Sequence, residues 1–422
     1  MRSIYTLLIY IAAPIVALAK WLRGALGEGE LRDRWGLARA SASAKSASAA
    51  PVTLWVHAVS VGEVQAGAVL VRALFKSHPD WRLIVTTGTK TGAERVRALF
   101  GDAVQHVFLP YDMPGAVRRF LRREQPRAGV VLETEIWPNL FRACRKENIP
   151  LLMASARLSE KSVHSYRRLS GLVRDALCGV RICAQTQTDA ERFIAIGADP
   201  TLVEVVGNIK FDIEIAADVI AKGRAIREAQ FAERPVWIAA STHEGEEAGA
   251  LDAHQQVRAH IPNALLILVP RHPQRFASVR SLLETRGVPF VARSADGVVG
   301  EDTQVLLVDT LGELVMFYAA SDVAFVGGSL VPIGGHNLLE PAALAIATIT
   351  GPHNFNAPDI AHLLLAQDAA LQIDSFDALA EQVATLLRNA ERRIEHGVRA
   401  RSIVESNRGT LQRLLERIDS LR

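Results

Sequence analysis

The sequence predicts an α/β protein made of two successive doubly wound domains, and three observations carry that prediction. Short β-rich runs recur with room for a helix between them: "TLWVHAVS", "RLIVTTGT", "QHVFLPYD", "AGVVLETEI", "PLLMASA", "RICAQT" and "VEVVGNIK". A polar, helical-looking stretch from Asp212 to Pro235 breaks the rhythm, and a second series follows, from "PVWIAAST" through "ALLILVPRH" and "DVAFVGGS" to "ATITGP". Strand and helix in alternation imply a parallel sheet with helices on both faces. Finally, 422 residues, 49% hydrophobic and 22% charged, suffice for two domains of roughly 150–200 residues each.

The expected organisation runs as follows. Residues 1–37 are a membrane anchor with a basic flank, and 38–51, "ARASASAKSASAAP", are a Ser/Ala-rich tether without large apolar residues. Residues 52–211 form the first domain, 212–234 the join, and 235–422 the second domain, with its last helix packing back on the first as an alternative. Ser3 to Ala19 carries no charge and sits at the lower edge of the length that crosses a bilayer as a helix. A cleaved signal peptide is the competing reading, because Ala17-Leu18-Ala19 fits the small-residue cleavage pattern. Lys20, Arg23, Arg32 and Arg34 follow the run while only Arg2 and the amino terminus precede it. The positive-inside rule therefore favours an uncleaved anchor with the bulk of the chain in the cytoplasm.

Net charge is only +3, but "RRFLRREQPR", Arg118 to Arg127, gathers positives that suit either an acidic surface or a solvated helix face. Cys144, Cys178 and Cys183 are far apart and lack CxxC spacing, which argues against a zinc site or disulfide framework.

In doubly wound sheets, ligands bind beyond the carboxyl ends of the strands. The residues following the apolar runs are unusually polar there. "TLWVHAVSVGEVQAG", Thr53 to Gly67, looks like a strand, a glycine turn and a helix, yet places Glu63 where a phosphate would sit. A helix N-terminus beside Glu63 is expected to favour its ionised form. "VVLETEIWPNL" is expected to set Glu133 and Glu135 on one side of a strand end by period-two alternation. Lys210, closing "VVGNIK", is either their partner across a cleft or solvent-exposed. Metal binding is weakly supported, with no histidine or third carboxylate adjacent in sequence.

In the second half, "GGSLVPIGGHNLLEPAALA" offers two Gly-Gly pairs whose backbone can approach a ligand, followed by a helix that directs N–H groups at an anion. Asn337-x-x-Glu340 also fits a capping box. Pro341 complicates that reading, because proline at N1 would put Glu340 at the N-cap; a carboxylate there suits ribose hydroxyls. Arg271, after Pro270 and beside His272, is a charged fork suited to a phosphate. Gly312 and Glu313 stand at a further strand-to-helix turn.

Together, "HAVSVGEVQAG", "ETEIWPNL", "GNIKFD", "PRHPQRF" and "GGHNLLEPA", in this order behind a short apolar segment, resemble the 3-deoxy-D-manno-oct-2-ulosonic acid (Kdo) transferases of lipopolysaccharide synthesis. The resemblance implies a GT-B glycosyltransferase, two Rossmann-like domains facing a cleft, that moves Kdo from CMP-Kdo to a lipid A precursor (lipid IVA). It implies Glu63 as general base, with Glu133 and Lys210 stabilising the transition state. It places CMP on Pro270 and Arg271, on Gly312, Glu313 and Leu314, and on Asn337, Leu338, Leu339 and Glu340. No metal and no cofactor beyond the donor substrate are expected, and the partners are CMP-Kdo, the lipid A precursor and membrane lipids of the cell inner membrane, with no nucleic acid. Two alternatives stay open: a related enzyme using another nucleotide sugar, and a membrane-tethered module that binds a nucleotide or lipid without chemistry.

Overall fold

The computed structural model describes residues 1–23, 27–38, 52–295 and 297–421. Apart from Ala38, the expected tether lies outside the described residues. The chain divides into two compact units, Met1–Asp212 with Arg408–Arg422, and Ile213–Asn407.

The first unit is a seven-stranded parallel sheet. Its strands are β1 (Thr53–His57), β2 (Arg82–Thr87), β3 (Gln105–Phe108), β4 (Ala128–Leu132), β5 (Leu151–Ala156), β6 (Arg181–Ala184) and β7 (Val203–Val205). They lie in the order β3-β2-β1-β4-β5-β6-β7. The second unit repeats the plan with β8 (Val236–Thr242), β9 (Leu265–Pro270), β10 (Phe290–Ala292), β11 (Val305–Leu307), β12 (Val323–Val326), β13 (Ala347–Thr350) and β14 (Leu371–Gln372). Its order is β10-β11-β9-β8-β12-β13-β14, again parallel. Strand order reverses between β1 and β4 in one unit and between β8 and β12 in the other. Those two points are where a crevice opens in such sheets.

Each sheet separates two apolar cores because side chains alternate along a strand. In the first unit Trp55, Ile84, Val131 and Met153 fill one face, and Leu54, Val56, Leu83 and Val85 the other. The second unit does the same with Trp237, Leu266 and Phe325 opposed to Ile238, Ile267 and Ala324.

The expected join falls within the second unit, and the final helix takes the alternative place, in the first. The helix Ala217–Phe231 belongs to the second unit, where it lies against the helix Leu314–Ala319. A Cβ on Gly223 would come within 2.2 Å of the Met316 carbonyl oxygen, so only glycine permits this approach. The helix Thr410–Asp419 sits in the first unit, with Leu414 and Ile418 in the core beside Leu54. Asp212 fixes its start, accepting from Gly409 N at 2.7 Å and Leu411 N at 2.8 Å. The basic run at 118–127 is also divided. Arg119 and Arg123 donate to backbone carbonyls at Trp35, Gly36 and Ala38, which leaves Arg118, Arg122 and Arg127 exposed.

The apolar segment forms the helix Arg2–Leu22, long and apolar enough to cross a membrane by length and composition. One face is seated on the first unit. Tyr5 Oη donates to Asp112 at 2.8 Å, Thr6 Oγ1 donates to Asn139 at 3.1 Å, and Ala13 packs against Met113 and Ala116. The opposite face exposes Ile4, Leu8, Ile11, Ile15 and Leu18.

Removing a capping carboxylate costs about 1–2 kcal/mol, which multiplies opening about 5- to 30-fold. Asp212→Ala is therefore expected to speed amide exchange across residues 410–419 by that factor, read by hydrogen-exchange mass spectrometry, with the central strands unchanged.

Candidate active site

Beyond β1 the helix Val61–Ser77 starts at once, with Ser60 as its N-cap. Gly62 is already helical and lacks the positive φ of a turn glycine, so the expected glycine turn is absent. Glu63 stands at N3 and folds back so that Val59 N–H donates to its carboxylate, as in a capping box. The expected balance of charge is reversed. Burial pushes Glu63 up to about 7, and the neighbouring Glu133 charge adds to it. The Val59 and Ser60 amides and Lys210 oppose the shift without cancelling it.

Glu133 approaches from β4. That strand ends at Leu132, and Glu133 itself adopts φ 55°, so period-two alternation does not govern the pair Glu133 and Glu135. A non-glycine residue held in this region stores about 1–3 kcal/mol, the kind of strain found at functional sites. Glu133 N donates to Ala154 O at 3.0 Å, and its carboxylate accepts from Lys210 Nζ at 2.8 Å. Lys210 thus reaches Glu133 within one unit, not across a cleft. It is held by a short chain of contacts: Asn208 accepts from Lys210 N at 3.0 Å and donates to Gln185 at 3.0 Å, while Ile209 N donates to Ser155 Oγ at 3.2 Å. Glu135 is also pushed up to about 7, first by burial and then by the charge of Glu63. The carboxylate missing from the local sequence is Glu63, supplied by the helix that follows the neighbouring strand β1. Among the described residues, no group of three His, Cys, Asp or Glu side chains is placed to hold a metal ion.

The second unit's reversal point is built around Glu246, which the sequence reading passed over. Its fully buried carboxylate accepts four backbone N–H groups: His243 at 3.0 Å, Gly328 at 2.7 Å, and Ser329 and Leu330 at 3.1 Å each. Gly328 O in turn accepts from Gly334 N at 3.0 Å and Gly335 N at 2.7 Å. Both glycine pairs therefore shape an internal loop, and the amides expected to face an anion at Gly334-Gly335 are already engaged. With φ of 108° and 72°, and Asn356 and Asn354 within 2.7 Å of any added Cβ, positions 334 and 335 require glycine.

The positive charge lies beside this loop. Arg271 follows β9 at Pro270, exposed, with its N–H held by Thr242 O at 3.0 Å. His243 and His336 stack with their Nε2 atoms 2.8 Å apart, and His272 meets His243 edge-on at 5.3 Å. Burial and then the Arg271 charge hold His336 down at about 3, so it is neutral near pH 7. In the sequence His243 and His272 each stand just past the end of a strand, and His336 lies in the glycine-rich loop.

The helix after the second glycine pair begins at Leu339, which puts Pro341 at N3 and Glu340 at N2. Neither the capping box nor the N1 proline describes it. Instead Asn337 Oδ1 accepts from Leu339 N at 3.1 Å while its Nδ2 donates to Glu340 at 3.1 Å. Burial raises the Glu340 carboxyl, with Asn337 and then Arg271 pulling it back. Tyr318, on the helix that Leu314 opens, is buried where it feels Glu340. Arg271 and Tyr318 thus both lie within electrostatic reach of Glu340. Glu313, next to Gly312 at φ 83°, is turned to Arg293 at 3.0 Å, whose hydrogen bond lowers its carboxyl.

Replacing Glu246 by Gln would leave at least two buried N–H groups without an acceptor, at about 1–3 kcal/mol each. The expected outcome for Glu246→Gln is a loss of about 3 kcal/mol and a fall of roughly 6–12 °C in the second unit's calorimetric midpoint, with the first unit's transition unmoved.

The family model for 3-deoxy-D-manno-octulosonic-acid transferase (kdotransferase) matches residues 29–213. The 3-deoxy-D-manno-octulosonic acid transferase of Haemophilus influenzae is 40% identical over 418 residues, covering 98% of this chain and 97% of that one. The transferase of the same description from Bordetella pertussis is 40% identical over 433 residues, covering 99% of each. Among solved structures, a glycosyltransferase from Rickettsia africae aligns with a TM-score of 0.55 at 13% identity, over 88% of this chain and 98% of that one. At that identity the likeness concerns the fold, which is GT-B. Two parallel sheets of this topology, and 40% identity along nearly the whole length, place the chain in the 3-deoxy-D-manno-octulosonic acid transferase family, as a glycosyltransferase.

Proposed function

We propose that the protein transfers Kdo from CMP-Kdo to a lipid A precursor, lipid IVA, with inversion in a single displacement. The observation that carries this reading is Glu63: a partly buried carboxylate, next to a second acid and a lysine, whose proton affinity is raised to about 7. Such a group matches its proton affinity to neutral pH, as a general base requires. In the step, an acceptor hydroxyl oxygen bonds to the anomeric carbon of Kdo and gives its proton to Glu63. The bond from that carbon to the phosphate oxygen breaks, and CMP leaves with the electron pair. Lys210, oriented by Glu133, offsets negative charge near the base, and Arg271 offsets it at the departing phosphate. Pro270, Gly312 to Leu314 and Asn337 to Glu340 are assigned to the nucleotide. Donor and acceptor suffice for this balance, and no cofactor is invoked.

The helix Arg2–Leu22 supports a seat on the cytoplasmic side of the cell inner membrane. Its Tyr5, Thr6 and Ala13 contacts tie one face to the first unit. A helix so tied presents its other, apolar face to a bilayer most readily by lying in the interface.

Glu63→Ala is expected to lower Kdo incorporation into a tetra-acylated lipid A precursor by about 10²–10⁴-fold, with CMP affinity within about twofold of the parent. Turnover within tenfold of the parent would refute the assignment. The base works deprotonated, so the rate should rise with pH through about 7 and then level. Lys210 lowers the Glu63 proton affinity, so its removal raises it. Lys210→Met should therefore move this limb to higher pH, whatever it does to the plateau; a limb shifted to lower pH would contradict the assignment.

A further inference from the structure

Beneath the helix Arg2–Leu22 the first unit holds a recess that the proposed chemistry does not use. Its volume is about 480 Å³, within the roughly 300–1,000 Å³ typical of small-ligand sites. Its walls come from that helix and from the helices Pro114–Glu124 and Pro138–Lys146. Arg2, Arg118, Arg142 and Lys146 line it, opposed by a single acid, Glu147. Arg142 is engaged with Asp175 at 3.2 Å. Arg2, Arg118 and Lys146 have no ion-pair partner among the described residues.

Two properties select the ligand. Three cations that line one recess and have no ion-pair partner among the described residues suit a phosphate, an acceptor of charged hydrogen bonds. Leu7 belongs both to the recess and to the exposed apolar face with Ile4, Leu8 and Ile11, so the cationic and apolar surfaces are continuous. A free phosphate would use only the first surface, whereas an amphiphile uses both. We propose that this recess binds the phosphodiester headgroup of an anionic bilayer phospholipid, whose acyl chains lie along the exposed face of the helix Arg2–Leu22. The proposal rests on the membrane seat inferred above. It adds a site on the enzyme for a lipid that is not consumed.

The test uses the full-length chain and vesicles of phosphatidylcholine, alone or with one quarter phosphatidylglycerol, read by co-sedimentation. Parent protein should prefer the phosphatidylglycerol vesicles, and Arg118→Gln with Lys146→Gln should cut that preference by about tenfold or more, two cations near an anionic surface being lost. A control, Lys161→Gln with Arg168→Gln, makes the same change of net charge at exposed positions and should retain the preference. Equal losses in both variants, or none in either, would overturn the proposal. So would an intact preference combined with a raised KM for acceptor in phospholipid-free detergent micelles, which would assign the recess to the acceptor's own phosphates. Binding to phosphatidylcholine alone reads the apolar helix, so a parent that ignores those vesicles would refute the membrane seat, separately from the headgroup comparison.

Discussion

A carboxylate bound by backbone N–H groups, at the point where a parallel sheet reverses its strand order, organises each unit. At such a point neighbouring strands send their chains to opposite faces, and the amides just beyond the strand ends lose their ladder partners. Buried amides need an acceptor. In the second unit Glu246 supplies it, and each of its two oxygens takes two N–H groups. No lone pair is left to receive a substrate proton, so the residue is structural. Glu63 in the first unit is held by the Val59 amide, with support from Ser60. Burial then outweighs those contacts, and the carboxyl stays titratable near neutrality. One motif, an acid folded back on the turn before its helix, thus meets four amides in the second unit and fewer in the first.

The consequence for the second unit is that anion-binding capacity moves from backbone to side chain. Gly328 gives its N–H to Glu246 and its carbonyl to Gly334 and Gly335, so the glycine-rich loop is closed on itself. Beside the loop stand Arg271 and the imidazoles of His243, His272 and His336. An Nε2-to-Nε2 contact of 2.8 Å needs one donor and one acceptor, so His243 and His336 share a single proton at their contact. Their neutrality keeps Arg271 as the dominant charge there, and a permanently charged planar fork is well matched to phosphate oxygens.

The sequence carried the architecture well because fully buried parallel strands write themselves as continuous apolar runs, and every run quoted from it is a strand. Motif order led to the polar residues at the strand ends. Three kinds of information were not local. Strand order decides which ends are neighbours, so nothing in "VSVGEV" or "ETEIWP" announced that Glu63 would repel Glu133 and Glu135. Burial decides proton affinity, so a helix N-terminus read in isolation suggested the wrong direction for Glu63. Tertiary contacts decide where elements belong: the helix Ala217–Phe231 is polar enough to resemble a linker, yet Gly223 lets it press on Met316. Glu246 escaped notice because four of its partners' atoms are backbone, and three of those residues lie more than eighty positions away.

The apolar helix at the start of the chain raises the same issue in another form, because hydropathy treats Tyr5 and Thr6 as tolerable residues in a membrane span. The structure gives them partners. Asp112 accepts from Tyr5 and also from Asn139 N at 2.9 Å and Leu140 N at 2.7 Å, which fixes the first turn of the helix Pro138–Lys146. That helix begins directly after the segment Glu133 to Trp137, whose other end is anchored by β4. The segment carrying two of the three acids is therefore clamped between a buried strand and a helix whose cap is shared with the apolar segment. A change that tilts the helix Arg2–Leu22 away from this seat breaks the Tyr5 contact, and the group it disturbs is the carboxylate that sets the far end of the Glu133 loop. The seat of the apolar helix on the first unit and the placement of the segment Glu133 to Trp137 are joined through Asp112.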